Sequence, residues 1–174
     1  LHINGRSINV FEATRQAADA GIRALGLMDN FANSSGLAAL VNAELGSLGV
    51  EVFGGIIMQP MAGGVSVEAA RTALAYGYGP GTGARFVSLP THHTRHVSAR
   101  EGRSPEFLET TFSVPASGVV PDVVLEIMDL VAEADAVFDC GHVAGHEARR
   151  RREERHARPR PRLVADVGRP HLDA

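Results

Sequence analysis

Short apolar runs at residues 22–28, 50–58, 85–89 and 136–140 alternate with segments whose apolar residues recur every three to four positions. Strands bury continuous or alternating apolar side chains and surface helices bury a stripe, so this alternation predicts strand–helix units around a parallel sheet. His2 and Ile3 read as the end of one earlier strand. Helices are expected over 10–20, 37–48 and 67–76, followed by a fourth that begins near Val119. Leu37, Leu40, Val41, Leu45 and Leu48 mark one face of the second, and Val124, Ile127, Met128 and Val131 one face of the fourth. Ser34 and Ser35 suit the start of the second helix, Gly21 and Gly49 the ends of the first two, and Pro121 the first turn of the fourth. The polar stretch 91–117 reads as one long loop and the glycine-rich stretch 77–83 as a turn.

Five such units of roughly 30 residues predict an α/β fold, a partial or distorted (β/α) TIM-like barrel, with an open doubly wound parallel sheet as the alternative. A closed eight-stranded barrel needs about 250 residues, so a chain of 174 reads as truncated. Starting at Leu1, on what reads as the tail of a strand, suggests that residues are missing before it. The barrel-like domain is expected over 1–148. Residues 1–148 carry eight Arg against sixteen Asp or Glu, a net of −8, whereas 149–174 carry nine Arg against four acids, a net of +5. The stretch 149–162 has almost no apolar residue to bury, and the Arg-rich segment 149–174 is expected to be irregular. Guanidinium groups pair with phosphates, but no aromatic residues are interleaved for base stacking, so nucleic-acid binding is the weaker reading. No apolar run approaches the roughly 20 residues a bilayer requires, and no basic-then-apolar leader pattern occurs, so the expected compartment is cytoplasmic. A single cysteine, Cys140, excludes an internal disulfide and reads as a small core residue.

In parallel α/β folds the chemistry is carried by residues just beyond the C-terminal ends of the strands, where distant segments converge. Those positions here hold His2 and Asn4, Asp29 and Asn30, Gln59, then His92, His93 and His96, and finally His142 and His146. Imidazole is neutral near pH 7 and is the commonest protein ligand for a metal, so recurrent histidines at strand ends point to a metal site. A catalytic zinc or manganese site takes about three such ligands and keeps one position for water. Spacing alone is weak support, because no tight pattern such as His-Glu-x-x-His occurs. The pair Gly54-Gly55 within a strand suggests close backbone approach or a bulge, and Asp135 and Asp139 read as helix-end and solvent-facing residues.

Several segments together resemble an uncharacterised amidohydrolase-like family of metal-dependent hydrolases. They are Phe11-Glu12-Ala13, Gly21-Ile22-Arg23-Ala24, Gly49-Val50-Glu51-Val52-Phe53-Gly54-Gly55-Ile56, Leu89-Pro90-Thr91 and Cys140-Gly141-His142. The resemblance covers residues 1–148 and implies a distorted (β/α) barrel whose first strand ends in Asp-x-His-x-His. His2 would match the first of those histidines, and Asn4 stands where the second is expected. The second strand would end in a Lys or His near the metal, where this chain has Met28-Asp29-Asn30. The implied ligands are His2, His92 or His93, and His142, holding a divalent metal, zinc before manganese or iron. Asp29 is the implied proton carrier. The implied activity is hydrolysis of a small-molecule amide, ester or related bond by metal-activated water. The alternative is a non-catalytic remnant or interaction domain in which Asn4, Met28 and Asn30 mark lost ligands. An unpaired sheet edge also suggests self-association as a homo-oligomer.

Overall fold

Most of the apolar runs become strands and most of the periodic segments helices, within a few residues of the expected bounds. The computed structural model describes residues 7–79, 81–114, 119–143 and the backbone of 162–164. In chain order these form α1 (Val10–Asp19), β1 (Ala24–Leu27), α2 (Ser35–Leu45), β2 (Glu51–Ile57), α3 (Val67–Ala75), β3 (Phe86–Ser88), α4 (Arg95–Arg100), α5 (Pro105–Glu109), α6 (Asp122–Glu133), β4 (Val137–Asp139) and β5 (Arg162–Val164). The strand expected at His2-Ile3 lies outside the described residues, as do Asn4 and His146.

The local reasons are ordinary ones. At α1 the Asn9 side chain accepts the Glu12 N–H while the Glu12 carboxylate accepts the Asn9 N–H, both at 2.9 Å, which satisfies two otherwise unpaired donors of the first turn. Ser66 caps α3 in the simpler way, accepting from the Ala69 N–H. Ser34 stands at the start of α2 but does not cap it. Its hydroxyl is drawn into the seam between β1 and β2, donating to the Leu27 carbonyl at 2.6 Å and accepting the Gly55 N–H at 3.0 Å. The start of α2 can come that close because Gly54 has no side chain. A Cβ there would fall 2.4–2.6 Å from backbone atoms of Ser34 and Ser35, so the close approach expected at Gly54-Gly55 is present.

The stretch 91–117, read as a single loop, contains two short helices. Thr94 caps α4 through the Val97 N–H, and Ser104 caps α5 through the Phe107 N–H with Pro105 at its first position. The excursion closes on itself, since Arg95 N–H donates to the Phe112 carbonyl at 2.9 Å and Phe112 N–H to the His93 carbonyl at 3.0 Å. In α5 the carboxyl of Glu106 is held below its ordinary range by hydrogen bonds from its own backbone N–H and from the Ser104 hydroxyl.

All five strands are parallel and lie side by side in the order in which they occur in the chain. The fold is therefore α/β around an open parallel sheet whose described edges are β1 and β5. The strand order never reverses, so the described sheet has no switch point of the kind that a doubly wound sheet carries. β5 is a strand that the sequence pattern did not announce, three residues of the Arg-rich segment paired with β4.

Alternate side chains along each strand turn to the helices. Ile56 and Met58, Val87 and Leu89, and Phe138 and Cys140 share one buried cluster with Ala70 and Ala73 of α3 and with Val124, Ile127 and Val131 of α6. A second, smaller cluster joins Leu25, Leu27, Val50 and Val52 to Ala17 of α1 and to Ala38 and Val41 of α2. The helices thus cover one face. By strand alternation and register, Gly55, Phe86 and Val137 form one row on the opposite face and Ile57, Ser88 and Asp139 the next. No described helix is long and apolar enough to cross a membrane.

Candidate functional site

Parallel strands deliver all their exits to one end of the sheet, and four of those exits are described: 28–30 after β1, 58–59 after β2, 89–93 after β3 and 140–142 after β4. Beyond Leu27 and Gly54 the pairing of β1 with β2 stops, and side chains take over from the backbone ladder. Gln59, 2% exposed, donates from Nε2 to Thr91 Oγ1 at 2.9 Å and to Asn30 Oδ1 at 3.3 Å. Thr91 in turn donates to Asn30 Oδ1 at 2.8 Å, and Gln59 Oε1 accepts the His93 N–H at 3.1 Å. Three strand exits are joined by this one network. Burying an amide and a hydroxyl is tolerable because each finds partners.

The exits of β3 and β4 are held differently. Ser88, fully buried, donates to Asp139 Oδ2 at 2.6 Å, while Asp139 Oδ1 accepts the Gly141 N–H at 3.2 Å. Gly141 adopts φ 60°, and a Cβ there would lie 2.4 Å from both the Leu89 and Pro90 carbonyl oxygens. Only glycine allows the chain after β4 to pass so close to the chain after β3. His142 follows at once, its N–H donating to the Pro90 carbonyl at 3.2 Å and its carbonyl accepting the Thr94 hydroxyl at 2.9 Å. With its backbone tied at both ends, the His142 ring meets the His92 ring edge to face, centroids 6.1 Å apart and planes at 79°.

The structure therefore brings together two of the histidines singled out from sequence, His92 and His142. His92 is exposed and His142 half-buried. The neighbouring His93 turns elsewhere: its Nε2 lies 2.9 Å from the Thr110 carbonyl and its ring packs edge to face on Phe107 at 5.4 Å, tying α5 to the exit of β3. His96 is exposed on α4. Asp29 is half-buried in the exit of β1, with Oδ1 accepting the Phe31 N–H at 2.8 Å, a local turn contact. His2 lies outside the described residues. Among the described residues no group of three or more His, Cys, Asp or Glu side chains is placed to hold one metal ion.

Two features of this end of the sheet were not apparent from sequence. Asp139 reads as a solvent-facing residue, yet it is the acceptor that clasps β3 to β4; its partner Ser88 is 51 residues away and no local pattern links them. The Asn30–Gln59–Thr91 network likewise joins residues that sequence reading placed at separate strand ends.

A protein-family model described as a family of unknown function (DUF6282) matches residues 2–168. No curated protein and no solved structure matches the chain.

Proposed function

The chain belongs to that family of unknown function, DUF6282, and we propose that it is a cytoplasmic metal-dependent hydrolase of the amidohydrolase-like type, acting on a small-molecule amide, ester or related bond. The proposal includes the finer fold: an arc of a (β/α) barrel. Sequential parallel order and helices on a single face are what a barrel arc requires, and in such folds the strand exits carry the chemistry.

The observation that carries the reading is the His92–His142 pair, two imidazoles from adjacent strand exits with centroids 6.1 Å apart. Their chemistry and proximity fit a zinc ion, or manganese or iron, with each ring as one ligand and His2 as the third read from sequence. Such an ion, when bound, supplies Lewis acidity that brings the ionisation of water toward neutral pH. The protein's own part is positional. Pro90 and Thr94 hold the His142 backbone, the Ser88–Asp139–Gly141 clasp sets the spacing of the two exits, and Asp29, at the exit of β1 two strands from β3, is the proton carrier in this reading.

The test is metal analysis of the purified protein followed by an assay of p-nitrophenyl esters and anilides before and after zinc reconstitution. Replacing His92 or His142 by Ala should lower hydrolysis by at least about 100-fold, since even outer-shell partners of metal ligands cost 10–100-fold. Protein that takes up no metal and stays inert after reconstitution overturns the reading in favour of a non-catalytic interaction domain.

A further inference from the structure

We infer that the Asn30 carboxamide is a fixed hydrogen-bond donor for a substrate oxygen, a carbonyl or carboxylate, at the strand-end site. The inference deepens the reading of this end as the substrate-binding end and rests on it. Its basis is the direction of the bonds in the buried network. A backbone N–H can only donate, so the bond from His93 N–H identifies the facing Gln59 atom as its oxygen, Oε1. The other branch of the Gln59 amide is then Nε2, a donor only, and the two atoms it reaches, Thr91 Oγ1 and Asn30 Oδ1, must accept. Thr91, already accepting from Gln59, spends its single proton on Asn30 Oδ1 at 2.8 Å.

Asn30 is thereby oriented without ambiguity. Its oxygen is held by two donors, and Nδ2, on the opposite branch of the carboxamide, keeps two N–H groups that make no hydrogen bond among the described residues. Asn30 is half-buried, and its partner Thr91 is the residue before His92. A donor whose direction is set in advance by buried neighbours needs no reorganisation when an acceptor arrives, which is how enzymes stabilise oxygen atoms that gain negative charge. The same two N–H groups repel a cationic group. The ligand feature is therefore an uncharged or anionic oxygen, as in the amide, ester or carboxylate part of a small molecule.

The experiment is a nitrogen-15 NMR titration of the full chain, metal-free and zinc-loaded, with acetate, acetamide and methylammonium as probes. The Asn30 side-chain NH2 signals are assigned by their disappearance in N30D, which keeps an oxygen facing Gln59 and Thr91 while replacing the Nδ2 donor with an acceptor. Acetate and acetamide should shift those signals and methylammonium should not. T91V, which keeps the donor but removes the shorter of the two bonds that orient the amide, should weaken acetate binding about tenfold, the worth of one hydrogen bond. Asn30 signals unmoved by both oxygen probes, moved equally by methylammonium, or as responsive in T91V as in the wild type would each overturn the inference. If N30D does not fold, the same signals are assigned by triple-resonance NMR of the wild type, whose titration then decides the matter. A positive titration in protein that neither binds zinc nor hydrolyses esters keeps this inference and removes the hydrolase reading, so the two fail separately.

Discussion

The exits of β1 and β2 and the exits of β3 and β4 share the segment Thr91–His93 yet are held by different bonds. On the first side, Asn30, Gln59 and Thr91 bond mainly to one another, side chain to side chain. On the second, one side-chain pair, Ser88–Asp139, is tied on to backbone: Asp139 also holds the Gly141 N–H, and Thr94 holds the His142 carbonyl. The difference separates two tasks. Mutual bonding of side chains sets the direction of a single amide, whereas bonding to backbone fixes the path of the chain and lets the rings of His92 and His142 meet at its end.

Substitutions can break the two sides separately. The largest effect is expected for G141A, because the residue sits at φ 60° and the new Cβ would meet two carbonyl oxygens at 2.4 Å. A loss of about 3 kcal/mol or more in chemical denaturation is expected, with backbone clash added to left-handed strain. A loss below about 1 kcal/mol would mean that the two exits are not pressed together as described. On the other side, Q59L keeps the volume of the side chain but leaves the His93 N–H and the Asn30 and Thr91 groups without their partner. It should cost about 2–3 kcal/mol, the cost of stranding buried polar groups, while leaving the His92–His142 pair able to bind metal.

The smallest effect sharpens the comparison from outside both networks. Glu106 has its carboxyl held below the ordinary range, mainly by its own backbone N–H and then by Ser104, and it is fully exposed. A lowered folded-state value means that its contribution is present above the ordinary carboxylate range and is lost as pH falls through the folded value. Acid titration of the Glu106 carboxyl by carbon-13 NMR should show that lowered midpoint, with loosening confined to α5 and no change at Gln59 or His142.

Much of this arrangement was readable from sequence where the signal was periodic. β2 and α6 were expected almost at their observed bounds, because a run such as Val52 to Ile57 or the stripe Val124, Ile127, Met128 and Val131 reports its own burial. α4 and α5 carry no such signal, because six and five residues are too few to show a helical period, and only their caps, Thr94 and Ser104-Pro105, betray them. β5 escapes a sequence reading for a similar reason, three residues that follow directly on the run Arg-Pro-Arg-Pro at 158–161. At the site, residue types at strand ends were legible, but which of two adjacent histidines turns to His142 was not. That choice depends on Thr110 and Phe107, whose positions are set by the α4–α5 excursion. The same holds for Asp139, whose role needs Ser88 on a neighbouring strand.

The most direct test of the claim that the β3 and β4 exits form the metal-binding side is a cobalt(II) titration, followed by its visible absorption, of wild-type protein and the variants H92A, H142A and H93A. One ion per chain should bind to the wild type and to H93A, and binding should weaken by at least about 100-fold in H92A and in H142A. Uptake by H92A and H142A equal to that of the wild type, or loss of binding in H93A alone, would contradict it.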